Sequence, residues 1–595
     1  MSRSRPAFAR LRNAITGNGR TTLWGAVIAL TVGLLLYPKD PEVNFAAIQS
    51  LSAFADLPLF GALYYLWALS LVTLTLSLKR QRSGYWEGLV LVGLFALVFR
   101  GIWDIPFPVQ TLDGVANATT TKAIADLHEV PVGHPNFVYT DFPGIHLLTA
   151  CLSQVTGLGL SDSVMAIMVL LDLLLAALYY LTSLRILGDQ RLAAFAALLA
   201  MQGNIVFARL FFYAGFMGLI FIGLFLLLIL KKGDAVFARV EDAFAAVVLL
   251  GAGSMTHFVS ALVPFFLLAG IYLARSFAGR PRAPLLATTP VLYVIVPLSW
   301  LIFWSVGTFD NIVVIGSKVQ ESLAPDMAFR YMFNIGRANL GPTLPPWATA
   351  TNNFWLFLLF GLGSVSVLLG LVKMKKLNGV EAKATGAFLG VILLALLVTS
   401  LYPGGQQVYR FLTFAPFFAA PFLLLLLRGL RPRRALLSLT ILALLFVGLS
   451  LPTFFANSAY IGVSVYHPVD SAPGQFLKPL YDDGRGLRIM SLAFTTQPLI
   501  RYLPEAEYSG ELPAEHVQDE EQFWQFAEKQ VGSFEGTSDW EAVYVSSPRP
   551  VAAFQHIFGI AQDDPNWSRL SRRLEEKERF YDNGQVQMYR LPPQP

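Results

Sequence analysis

Runs of apolar residues, separated by clusters of Lys, Arg, Gly and Pro, recur along the chain from Thr22 to Pro452. At about 1.5 Å per helical residue, such runs are of the length that crosses a hydrocarbon core of about 30 Å. The pattern predicts about thirteen transmembrane helices, at 22–37, 57–78, 85–99, 163–184, 192–207, 210–230, 243–257, 258–274, 285–306, 353–372, 384–401, 411–427 and 435–453. No small-residue cleavage site follows the first run, so it reads as a retained helix rather than a signal peptide. The stretch 243–274 is long enough for one tilted helix, but Gly251, Gly253 and His257 near its middle favour a break into two short ones.

The distribution of basic residues orients this bundle. With the N-terminus inside, the inner segments carry twenty-four Lys and Arg, and the longer outer segments before residue 454 carry eight. Short cytoplasmic loops retain basic residues during insertion, so the reading is N-terminus cytoplasmic and C-terminus extracytoplasmic. After about residue 456 the composition becomes that of a soluble domain, with 20 acidic and 12 basic residues against 19 and 32 before it. The overall net charge of +5 therefore reflects inner-loop anchoring and gives no support to nucleic-acid binding. A 55% hydrophobic content with a mean hydropathy of +0.54 places the chain in lipid, in a multi-pass protein of the cell membrane. One cysteine, Cys151, excludes both an intrachain disulfide framework and a cysteine-based zinc cluster.

Two domains follow: residues 1–455, a membrane domain with outer loops 100–162 and 307–352, and residues 456–595, an extracytoplasmic α/β domain. Loops as long as the first are usually functional, and this one carries Asp104, Asp113, Asp126, Glu129, Asp141, His128, His134 and His146. Within it Gly114 to Leu127 reads as a helix with apolar Val115, Ala118, Ala123 and Leu127, and Phe142 to Leu152 as an interfacial helix with a polar and a leucine face. The tail alternates strand-like and helix-like runs: Leu487 to Leu492, Glu520 to Val531, Ala542 to Ser546, Val551 to Phe558 and Trp567 to Lys577. It ends in a hairpin whose Asn583-Gly584 suits a type I′ turn.

The stretch from Leu112-Asp113-Gly114 through Ile124-Ala-Asp-Leu-His-Glu-Val-Pro131 to Tyr139-Thr-Asp-Phe-Pro-Gly-Ile-His-Leu-Leu148 resembles the first outer loop of the GT-C superfamily of polyprenyl- or dolichyl-phosphate-dependent glycosyltransferases. Met255-Thr-His-Phe-Val-Ser260 is similar to the His-containing break in these bundles, Tyr409-Arg-Phe-Leu412 to the opening of a late helix at the outer face, and Tyr581-Asp-Asn-Gly584 to the tail ending of prokaryotic members. The chain departs from the family in two places besides its extra spans before the loop. The acidic pair of the first loop is not contiguous, and the tail has Asp539-Trp540-Glu541 in place of the Trp-Trp-Asp-Tyr-Gly signature of oligosaccharyltransferases. The second departure argues against transfer to asparagine in a sequon.

What the resemblance implies is an inverting glycosyltransferase with a GT-C-like helical bundle, moving a hexosyl or pentosyl unit from a lipid-linked sugar donor to a glycan, lipid or protein acceptor at the outer face. Such transfer needs a carboxylate to take the acceptor proton and cationic groups to hold the departing phosphate. The resemblance places Asp113 at the catalytic position, with Asp104 second and Asp141 orienting the acceptor or binding metal; capping of the helix at Gly114 is an equally ordinary use for Asp113. Arg410, at the outer start of an apolar helix, is a candidate clamp for the lipid phosphate or else a snorkelling anchor. His257, at the break, is a candidate ligand for the substrate or a satisfied core histidine, and His146 a candidate contact to sugar or phosphate. Glu321 is placed to reach the site from the second loop, or else is a solvated loop acid. A divalent cation, Mg or Mn, fits Asp104, Asp113 and Asp141 as hard oxygen ligands. Asp172, in mid-span, is the main argument for the alternative, a transporter or flippase of a lipid-linked sugar; a scaffold whose tail recruits envelope partners is a second rival. Asn117-Ala-Thr and Asn566-Trp-Ser fit glycosylation sequons.

Overall fold

The computed structural model describes residues 17–37, 58–78, 85–102, 112–132, 140–202, 214–232, 239–277, 299–300, 350–351, 354–355, 357–372, 379–401, 414–428, 430–462, 468–481, 486–491, 499, 502–503, 506–508, 541–546, 572, 578–583 and 586–591. Asp104, Glu321, Arg410 and Asn566 lie outside them, as do nearly all of the 285–306 span, the second outer loop and the three helix-like runs of the tail.

Helices dominate: α1 Gly17–Leu35, α2 Pro58–Ser77, α3 Tyr85–Ile102, α4 Leu112–Leu127, α5 Gly144–Thr156, α6 Leu160–Leu187, α7 Gln190–Gln202, α8 Ala214–Lys232, α9 Val240–Thr256 and α10 Phe258–Phe277. A π-helical turn, Phe357–Gly361, leads into α11 Leu362–Val372, followed by α12 Gly379–Leu401, α13 Pro416–Arg428, α14 Pro432–Gly462 and α15 Pro468–Leu477. Apart from α4, α5 and α15, these overlie predicted spans. Among the described residues four stretches, Leu59–Ser77, Leu160–Leu187, Ala214–Lys232 and Pro432–Thr453, are long and apolar enough to cross a membrane. The break predicted near residue 257 is present: α9 ends where His257 turns extended (φ −166°, ψ 134°), its amide still reaching Gly253 O at 3.3 Å.

Lipid tails are as apolar as leucine, so close packing and polar links hold the helices together in place of hydrophobic burial. Trp67 donates to Thr31 Oγ1 (2.9 Å) between α2 and α1 and stacks on Phe95 of α3. Phe95 in turn meets Phe446 of α14, closing the N-terminal helices onto the C-terminal ones. Helix α6 ends at Gly188, whose φ of +62° lets its amide cap Leu184 O and turn the chain directly into α7.

The tightest crossing joins α10 to α12. A Cβ on Gly390 would stand 1.9 Å from the Phe266 carbonyl oxygen, and one on Gly270 would stand 2.1 Å from Gly386 O. Gly390→Val is therefore expected to lower stability by about 1–3 kcal/mol or more through overpacking. Gly448→Ala, with nothing within 4 Å, should be neutral or gain up to about 1 kcal/mol from reduced backbone freedom. Thermal unfolding of the purified variants in one detergent checks both; a Gly390→Val variant as stable as the parent would contradict the crossing.

The tail contributes a mixed five-stranded sheet, β1 Leu487–Ser491, β2 Glu507–Tyr508, β3 Glu541–Ser546, β4 Glu578–Asp582 and β5 Gln587–Leu591, in the order β2-β1-β3-β5-β4. The β2-β1-β3 part is parallel and the β3-β5-β4 part antiparallel. Leu487, Ile489, Leu499, Leu503 and Met588 form its core with Leu477 of α15. The hairpin closes later than Asn583-Gly584 predicts. Asp582 pairs with Gln587, and the Asn583 amide donates to Val586 O (3.2 Å), leaving Gly584 and Gln585 between them.

Candidate functional site

Between α3 and α6 the chain forms two packed helices, α4 and α5, and their contact is polar. Asn117, Thr119, Thr120 and Thr121 of α4 are buried beside Ala118 and Ile124, whereas Leu127 is exposed. The apolar face expected from the sequence is thus only partly the buried one. Thr121 Oγ1 donates to Asn117 O (2.8 Å) and lies 2.9 Å from Nδ1 of His146 on α5. Because that hydroxyl proton is directed to Asn117, the network assigns the imidazole N–H to Nδ1, donating to Thr121. His146 is 0% exposed, and burial pushes its pKa down from 6.5 to about 3 despite a hydrogen bond to the Asn117 backbone. It stands as a neutral link between two helices.

This link carries a pH dependence. The folded pKa is depressed, so between about 6.5 and about 3 the unfolded chain takes up a proton that the folded chain does not. Stability contributed by neutral His146 is therefore fully present above pH 6.5 and falls as the pH drops through that window. His146→Gln should flatten this part of a stability-versus-pH curve, measured by unfolding at a series of pH values; an unchanged slope would contradict it. Thr121→Val, which removes one partner of the histidine donor while its bond to the Asn117 backbone remains, is expected to cost about 0.5–1.5 kcal/mol at neutral pH.

The far ends of the pair are fixed as well. Gln154 Nε2 donates to Ala125 O (2.9 Å) and lies 3.1 Å from His128 Nδ1, where His128 turns the chain with φ +58°. Asn117, fully buried inside this contact, cannot act as a glycosylation acceptor in the folded protein.

The start of α5 sits on the broken helix. A Cβ on Gly144 would stand 2.6 Å from Thr256 Cγ2, so only glycine allows Pro143-Gly144 to approach the end of α9 so closely. On the other side of the break, a Cβ on Gly218 of α8 would stand 1.9 Å from Ser260 Oγ and 3.5 Å from Thr256 Oγ1. Trp300 Nε1 donates to Asp141 O at 3.1 Å, tying the approach to α5 from a third direction. The stretches 140–148 and 255–260, far apart in sequence, thus meet at one junction; Asp141 on the first is half-buried and His257 on the second is buried. Asp113 falls in the first turn of α4, since the helix starts at Leu112 rather than Gly114. This is a position where the helix dipole favours a carboxylate. It precedes Thr121 by eight residues, about 12 Å along the axis. The Asp113 side chain lies outside what the structure describes.

Asp172 is explained by a partner that the sequence reading did not find. Arg100, at the end of α3, reaches it with Nε and Nη2, each 2.6 Å from Oδ2, in a pair 3% and 1% exposed. An acid in mid-span is costly only while it lacks an opposite charge, and here it has one. The observation that made Asp172 an argument for a transporter has a structural origin. A sequence signal existed, since each residue is hard to place in lipid alone and a pairing of the two resolves both costs; α3 also runs on to Ile102, past its predicted end.

Among the described residues, no three His, Cys, Asp or Glu side chains gather as a metal site. Of the three carboxylates expected to hold a cation, only Asp141 has a described side chain.

Fold and junction together define a membrane bundle of apolar helices in which the pair α4 and α5 is seated on a broken helix. No protein-family model and no curated protein sequence matches the chain. Among solved structures it is similar to the apo Archaeoglobus fulgidus oligosaccharyltransferase, at 12% identity and a TM-score of 0.54, over 78% of this chain and 70% of that one. It is also similar to AglB from the same organism in complex with an inhibitory peptide and a dolichol-phosphate, at 12% identity and a TM-score of 0.53, over 85% and 74%. ArnT from Cupriavidus metallidurans bound to undecaprenyl phosphate overlaps at 14% identity over 85% and 98%, with a TM-score of 0.44 that is too low to establish a common fold. The apolar helices and this fold make the protein an integral membrane protein.

Proposed function

We propose that the protein is an inverting membrane glycosyltransferase that takes a sugar from a polyprenyl-phosphate donor and passes it to a hydroxyl-bearing acceptor at the outer face. The observation that carries this reading is the junction, where the acid-bearing outer segment is pinned to the membrane bundle by Gly144 on Thr256 and by Trp300 on Asp141. The shared fold supports it, since AglB has been solved with a dolichol-phosphate and an inhibitory peptide. In the proposed step the Asp113 carboxylate takes the acceptor hydroxyl proton as the oxygen attacks the anomeric carbon. The bond from that carbon to the phosphate oxygen breaks, and polyprenyl phosphate leaves with its charge held by Arg410. Asp104 is the second acid of the site. Asp141 orients the acceptor, and His257 and Glu321 line the approach, while His146 acts through α4. A divalent cation at Asp104, Asp113 and Asp141 would supply further charge for the departing phosphate.

The N-terminus is cytoplasmic in this reading, and residues 456–595 form an extracytoplasmic α/β domain that binds acceptor or partner. The acceptor class, whether glycan, lipid or protein, is open to assay. Asparagine in a sequon is disfavoured, because the tail has Asp539-Trp540-Glu541 where oligosaccharyltransferases carry their signature. Arg410→Ala tests the donor side. Removing a charge-assisted clamp should weaken binding of undecaprenyl phosphate to the purified protein by about ten- to a hundredfold, with unchanged thermal stability. Equal affinity would remove Arg410 from the site.

A further inference from the structure

The corner between α13 and α14 carries a charge cluster that the transferase reading does not use. Arg431, Arg433 and Arg434 are all exposed there, around Pro432 at the start of α14. Arg428, just before them, is committed to the fold, donating from Nη1 to Leu187 O (3.1 Å) at the end of α6. The nearby carboxylate of Asp189 is held by Arg191 at 3.0 Å. No Asp or Glu occurs anywhere from residue 382 to residue 469, so the sequence supplies no local countercharge. Arg433 and Arg434 also stand in the first turn of a 31-residue helix, the end whose dipole repels cations. Three arginines are thus held together at the start of α14, a place that the helix dipole makes unfavourable until an anion arrives. Directly along α14 from them, Leu437, Ile441 and Leu444 are exposed at spacings of four and three, one continuous apolar stripe.

We propose that this corner is a binding site for an anionic phospholipid, its phosphate headgroup held by Arg431, Arg433 and Arg434 and an acyl chain lying along Leu437, Ile441 and Leu444. The charge cluster selects an anion, and the apolar stripe continuous with it selects a lipid over free phosphate. The site is independent of the sugar-transfer reading and of which way the chain faces.

The test uses the full-length protein reconstituted in phosphatidylcholine vesicles containing a minor share of phosphatidylglycerol, with the lipid retained around the excised protein analysed. The parent should enrich phosphatidylglycerol over phosphatidylcholine by roughly tenfold or more at low salt, and molar salt should erase most of that. The combined Arg431→Gln, Arg433→Gln, Arg434→Gln variant should lose the enrichment, and the corresponding Lys variant should keep most of it. Inorganic phosphate at low concentration should not displace the lipid. Equal retention of the two lipids by the parent, enrichment indifferent to salt, or displacement by phosphate alone would each overturn the proposal, the first two without need of any variant.

Discussion

Asp113→Asn is expected to lower sugar transfer by about 10²- to 10⁴-fold, the usual worth of a positioned general base, while leaving the protein folded and able to bind polyprenyl phosphate. The substitution keeps the size and the first-turn position of the side chain in α4 and removes only its capacity to accept the acceptor proton as a charged base. If Asp113 served only to favour the helix start, the loss of its charge would cost a few tenths of a kcal/mol to about 1 kcal/mol of stability and turnover would survive. Single-turnover transfer, measured beside thermal unfolding of the same sample, separates the two. Full turnover with normal stability would leave Asp113 without a catalytic role.

The second large effect concerns the buried Arg100–Asp172 ion pair. Asp172→Leu strands the Arg100 guanidinium, which is 3% exposed, in the bundle without its carboxylate. Truncating one partner of a buried pair costs about 3–5 kcal/mol. Replacing both partners, Arg100→Met with Asp172→Leu, removes the stranded charge and should recover most of that loss. The double-mutant cycle, read by unfolding, therefore has a definite shape: large single losses and a small double one. A proton-coupled transporter predicts a different pattern, in which Asp172→Leu leaves stability intact and abolishes an ion-dependent flux. Stable Asp172→Leu protein would favour that alternative.

What the sequence revealed, and what it hid, follows from the range of the interactions involved. The break at His257 was legible because its causes are local: two glycines and a polar residue inside an apolar run. The apolar helices were legible because lipid imposes a length and a polarity on a helix that crosses it. The buried face of α4 was not, since Asn117, Thr120 and Thr121 look like solvated residues until a histidine 25 positions on is known to face them. The Arg100–Asp172 pair hid for the same reason, its members standing 72 positions apart. The glycines of the α10–α12 crossing did carry a signal in Gly386-Ala-Phe-Leu-Gly390, the small-residue spacing of close helix packing, but only the facing backbone of α10 shows what Gly390 meets. Within the site, types of residue were readable and their grouping partly so. Asp141 and His257 lie on the two segments that meet at the α5 and α9 junction, whereas His146 is a buried strut that faces Thr121. Asn117 showed the reverse error, a three-residue pattern that fits a surface modification on a side chain the fold encloses.

The most direct measurement is an experimental structure of the full chain with undecaprenyl phosphate added. The account predicts density for the phosphate within hydrogen-bonding reach of Arg410, its lipid tail leaving into the bilayer, and the Asp113 carboxylate facing the same groove. A phosphate bound elsewhere, with Asp113 directed into the protein away from any opening to lipid, would contradict it.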